Sequence, residues 1–175
     1  MRFQRFLSLL VTLAWGLWFG GLITLFMAVT ALFDTFRGRQ TIAGTGAAAI
    51  FGRFELFQLA LAAIMLLATL AWRMHCGPSK LKVMMLALVS VATVLAMIET
   101  AVVARKIDAL RGQGETQSPA FKRMHGTSMA LYSGETLMLL VVGLLLPSTI
   151  ARDPRPSAES EADAVLRAQG QKITT

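Results

Sequence analysis

The chain has little of what most enzymes and secreted domains are built from. Its 175 residues include one cysteine, Cys76, and two histidines, His75 and His125. A single cysteine excludes an internal disulfide and any multi-cysteine zinc or iron–sulfur site, and Cys76 stands in no CxxCH haem-attachment motif. Charge is scarce as well: 15% of the residues are charged against 55% hydrophobic, and the mean hydropathy is +0.60. Such a balance belongs to a membrane protein and not to a soluble domain of this length. The net charge of +7 does not point to nucleic acid, because the Lys and Arg residues flank apolar runs and form no stripe with interleaved aromatics. They read as anchors at the level of the lipid headgroups, and the lipid bilayer is the expected partner.

What is abundant is uncharged chain. No charge falls between Arg5 and Asp34, a stretch that rises about 40 Å as a helix and so crosses a hydrocarbon core of about 30 Å with tilt. The basic start "MRFQR" imitates a signal peptide, but this run is far longer than an h-region of about 7–15 residues and no A-x-A site follows, so it is expected to stay attached. Further spans are expected at about 56–72, 83–104 and 127–147, after a first at about 7–33. The expected fold is therefore all-α, an integral membrane bundle of four transmembrane helices within residues 1–150. Residues 151–175 mix prolines, small residues and charges of both signs, and are expected to form a disordered polar tail with room for a short helix after Ser157.

The links carry their own expectations. Between the first two spans, the uncharged segment from Gln40 to Gly52 is too short to cross and is expected to lie along the interface or pack as a short helix. Between the last two, "ARKIDALRGQGETQSPAFKR" starts with good helix formers and breaks at Gly112 and Gly114, so the third span should continue into water before turning. Orientation is nearly balanced, with seven Lys and Arg residues on one side and eight on the other. The short loop "RMHCGPSKLK" holds three of them, and short loops weigh most, which favours both termini in the cytoplasm.

Span one contains "GLWFG", and its four-residue spacing of small side chains runs through Gly16, Gly20, Thr24 and Ala28. Such a ridge lets another backbone approach closely, which matters where packing drives helix association. It is expected to pack inside the bundle, with a homo-oligomer seam or another membrane-protein partner as the alternative. Trp15 and Trp18 are read as packing or interfacial anchors without chemistry.

Polar side chains inside or bordering the spans gather towards one surface. Glu99 precedes Arg105 by six residues, which puts it about 8 Å deep, and Glu135 comes about 12 Å from the same surface on an antiparallel helix. Glu55, Gln58 and His125 fall nearer that surface. At about 100° per residue, His125, Ser128, Tyr132 and Thr136 share one face of the last span, with Glu135 on its shoulder. A carboxylate at this depth costs at least a few kcal/mol unless paired, protonated or hydrated, so an intramembrane glutamate is a functional candidate by default. The candidate pocket is thus Glu55, Gln58, Glu99, His125, Ser128, Tyr132 and Glu135, binding a cation, a proton or a small solute, with His125 as its protonation gate. The competing reading is a structural or accessory subunit in which these groups only tie helices together. The adjacency of methionine, histidine and cysteine in "RMHC" and "RMHG", with ten Met overall, hints at soft-metal binding, but the two histidines lie at opposite surfaces, about 30 Å apart. No metal site and no cofactor are expected, and no nucleophile–base arrangement marks an enzyme.

With these residues in view, the chain resembles the bacterial membrane family called domain of unknown function 4149, which is related to the eukaryotic transmembrane protein 205. The resemblance covers about Leu9 to Leu146 and rests on "WGLWFGG", on "LFDTF" at the exit of the first span, on the "AG" of "TIAGTGAAAIFGRFE", and on a phenylalanine followed by H-x-x-S. The family typically reads F-x-x-x-H-x-x-S-x-x-x-N there. Phe121, His125 and Ser128 match, whereas Tyr132 stands in place of the asparagine and replaces an amide with a hydroxyl donor. The resemblance implies a four-helix membrane protein. The association of transmembrane protein 205 with platinum-drug resistance adds transport-like handling of a solute as an expectation.

Overall fold

A computed structural model describes residues 2–77 and 79–152. The helices are α1 (Arg2–Thr35), α2 (Gln40–His75), α3 (Lys80–Ile98), a π-helical segment (Glu99–Ala104), α4 (Arg105–Gly112) and α5 (Pro119–Ala151). The π-helical segment joins α3 and α4 without a break, so the chain forms four long helical rods. Each spans 33 to 36 residues, about 50 Å at 1.5 Å per residue, and all four are long and apolar enough to cross a membrane. The fold is an all-α bundle of four transmembrane helices. Residues 153–175, for which a disordered tail and short helix were expected, lie outside the described residues.

Local sequence explains where the rods begin and turn. Ser79 caps α3 by accepting from the Lys82 backbone N–H at 3.2 Å, and Ser118 caps α5 by accepting from that of Phe121 at 3.1 Å. Pro119 fits the first turn of α5, where its missing N–H is not needed. Each connection between rods turns on a left-handed glycine, Gly38, Gly77 or Gly114, a conformation that a Cβ would strain. The segment Gln40–Gly52 does not form a separate interfacial element: it is the first third of α2. Glycine and alanine allow it to lie close against the end of α1, where Leu32 packs over Gly46 and Ala43 is fully buried.

The rods pack around the bundle in the order α1, α2, α3, α5, with α5 returning against α1. On α1 the inward stripe is Leu7, Val11, Ala14, Trp18, Leu22 and Leu25, spaced three and four residues apart. That stripe corrects the expectation for the small-residue ridge. Gly16, Thr24 and Ala28 are exposed and Gly20 is half-buried, and nothing lies within 4 Å of a Cβ built on either glycine. The ridge faces out of the bundle, where lipid or a second chain would meet it. Close internal packing falls instead to Gly21, under the Phe54 ring, and to Gly143, under the indole of Trp15. Trp15 also donates from Nε1 to the Leu139 carbonyl at 2.7 Å, which pins the ring across α5. At the short-loop end, the Lys82 ammonium donates to the Cys76 carbonyl at 3.4 Å and lies 5.4 Å from the centre of the Trp72 ring.

Two glycine substitutions should therefore differ in sign. Gly143→Ala drives a methyl into Trp15 and is expected to lower stability by about 1–3 kcal/mol. Gly16→Ala meets open space and is expected to raise it by about 0.5–1 kcal/mol through helix propensity. Thermal unfolding of the two variants in one detergent checks both.

Candidate functional site

Glu135 sits sixteen residues from either end of α5 and is fully buried. Both of its oxygens accept hydrogen bonds from other helices: Oε1 from Trp18 Nε1 on α1 at 2.6 Å, and Oε2 from Gln58 Nε2 on α2 at 3.2 Å. One carboxyl thereby joins three helices. Ser128, seven residues earlier on α5, donates to Glu99 Oε1 on the π-helical segment at 2.7 Å and ties in the third rod. Between Ser128 and Glu135 comes Tyr132, 9% exposed, its ring 5.5 Å from that of Phe51 on α2.

Around these bonds lie polar atoms that no other described side chain or backbone group satisfies. Gln58 Oε1, Glu99 Oε2, Thr100 Oγ1 and Tyr132 Oη are all buried and have no hydrogen-bond partner among the described residues. Native proteins rarely leave such atoms unsatisfied, and each calls for a reason. For Thr100 the reason is local. Thr12, Thr69, Thr93, Thr136 and Thr149 each donate to the carbonyl four residues back, as helical threonines do. Thr100 lies in the π-helical segment and does not make that bond. Such segments recur at functional sites, and this one begins at Glu99.

The seven expected pocket residues thus separate. Gln58, Glu99, Ser128, Tyr132 and Glu135 are buried together in the interior. Glu55 is half-buried at its edge, near the Glu99 and Asp108 carboxyls. His125 falls outside the set: its side chain is exposed and its ring stacks over Phe121, with centroids 6.3 Å apart. Two residues passed over by the sequence reading join the site, Trp18 as the shortest donor to a carboxyl and Thr100 as an unpartnered hydroxyl. Trp18 was legible in principle, since it continues the inward stripe of α1 and a buried indole N–H needs an acceptor. Among the described residues, the ion pairs are Arg37–Asp34 at 3.0 Å and Arg111–Asp108 at 2.7 Å, both outside the cluster. A shallow groove lined by Ser79, Lys80, Val83, Met84 and Ala87 lies at the opposite end of α3 from Glu99.

The family described as a domain of unknown function, DUF4149, matches residues 13–116. The chain belongs to this family. The matched stretch holds Trp18, Glu55, Gln58, Glu99 and Thr100 and ends before α5, so the partners that α5 supplies lie beyond it. No curated protein and no solved structure matches the chain.

Removing the Glu135 carboxyl should leave the Trp18 N–H and the Gln58 amide buried without an acceptor, at about 1–3 kcal/mol each. Glu135→Ala is expected to melt far below wild type. Glu135→Gln is expected to stay within about 1 kcal/mol, because it keeps an acceptor for Trp18 and a half-turn of the Gln58 amide restores the second bond. Parallel melting curves of the two variants measure the difference.

Proposed function

We propose that this membrane protein handles a small cation or a proton at its buried carboxyls, in a bacterial inner membrane with both termini in the cytoplasm. The observation that carries this reading is Glu99. It is 2% exposed, its Oε1 is held by Ser128, its Oε2 has no partner, and it takes part in no ion pair among the described residues. An uncompensated carboxylate in such surroundings costs several kcal/mol, and a proton or a bound cation is the compensation that removes the cost. Glu55, half-buried beside it, supplies a second carboxyl on the way to solvent.

Glu135 supports a different role. With a donor on each oxygen from two other helices, it joins the bundle together, and the structural reading applies to it more than to Glu99. The two carboxyls should therefore separate in function. Protein reconstituted into vesicles under a pH or potassium gradient is expected to move protons or cations, Glu99→Gln to lose that movement, and Glu135→Gln to retain it. Equal flux in wild type, Glu99→Gln and protein-free vesicles overturns the reading.

The orientation has its own measurement. Cys76 lies in the short loop between α2 and α3, on the side of the termini. An impermeant thiol reagent is expected to label it in inverted vesicles and not in intact cells; the reverse pattern inverts the topology.

A further inference from the structure

We infer that the occupant of the carboxyl site is a proton, carried on Oε2 of Glu99 and exchanged with water through Glu55. This rests on the reading of the site as ion-handling and commits it to one ion. The directions of the hydrogen bonds decide against a metal cation. Trp18 and Gln58 aim N–H hydrogens at the two oxygens of Glu135, and Ser128 aims its O–H at Oε1 of Glu99. Three of the four oxygens of the two innermost carboxyls thus already face positive hydrogens, which repel a cation and take up part of their acceptor capacity. Among the described residues, no three His, Cys, Asp or Glu side chains stand close enough to hold a metal ion. A proton needs only one oxygen, and Glu99 Oε2 is the one left without a partner.

The surroundings fit a neutral acid at Glu99. The titratable groups around it are Glu55 on α2 and Tyr132 and Glu135 on α5, and α1 has none between Arg5 and Asp34. All of them are acids. Arg53 and Arg105, near Glu55 and Glu99 in the chain, are exposed. In the exchange step the Oε2–H bond of Glu99 breaks, a new O–H bond forms on a water molecule, and that water passes the proton on to the half-buried Glu55 carboxylate and so to the surface. No electron pair leaves the protein and no other reactant is consumed. The Ser128 hydroxyl holds Oε1 in both states, so the side chain stays in place while the proton moves.

Infrared difference spectroscopy of the full chain in lipid reads this directly. A pH-dependent carboxylic-acid C=O band that shifts in D2O is expected in wild type, absent in Glu99→Gln and retained in Glu135→Gln. Ser128→Ala should keep the band and move its frequency, because the hydrogen bond to Oε1 is lost while the acid remains. That result guards against a Glu99→Gln variant that loses the band by misfolding. A band that survives in Glu99→Gln overturns the assignment. A band displaced at constant pH by adding sodium, potassium or magnesium ions shows a cation site, which defeats the proton and leaves the ion-handling reading standing. No response to either pH or cations defeats both.

Discussion

The whole bundle depends on satisfying a carboxyl where there is no water. Glu135 is at the middle of a helix that crosses the membrane, and an unsatisfied polar group there costs several kcal/mol. The solution recruits the indole of α1 and the amide of α2, so three helices must keep one rotation and one depth for two bonds to form. Apolar packing alone does not impose that, since Leu, Val and Ala tolerate small slides against lipid-like neighbours. The Trp15 bond to the Leu139 carbonyl and the close fit of its ring over Gly143, one turn and two turns further along α5, hold the α1–α5 contact in the same register.

A second carboxyl is treated in the opposite way. Glu99 is almost as deeply buried, yet only one of its oxygens is held, and it sits at the first residue of the π-helical segment. The same segment takes Thr100 out of the back-bonding that other threonines of the chain make. Regular helix satisfies its own polar groups; the irregular turn leaves hydroxyl and carboxyl capacity unused at one level of the bundle. That contrast is between one acid fully committed and one half-committed, the second held by Ser128 seven residues from Glu135 along α5, and it separates a structural pair of contacts from the carboxyl on which the proposed proton site rests.

Much of this was readable from the chain. Long uncharged runs bounded by Arg and Lys fix four crossings, because lipid admits only helices that satisfy their own backbone and are long enough to span it. The 100° rotation per residue places Ser128 and Tyr132 on one face with Glu135 beside it, and antiparallel crossing brings Glu99 to a similar depth. Membership of the domain-of-unknown-function family agrees with the span-one residues on which the resemblance rested. Continuity of α2 through Gln40–Gly52 was not readable, since a run rich in Gly and Ala suits an interfacial segment as well as a helix that packs tightly on a neighbour.

What the sequence by itself determined was the set of crossings, the polar residues near one level, and the composition that admits no multi-cysteine metal site. What only the tertiary structure decided was direction: that the Gly16 ridge faces out while Trp18 faces in, that His125 stacks on Phe121 outside the cluster, and that Glu135 receives two donors where Glu99 receives one. The reason is physical. Helical periodicity fixes which side chains share a face, but the face that turns inward is chosen by the neighbouring helices, through hydrogen bonds between residues 117 and 77 positions apart in the chain.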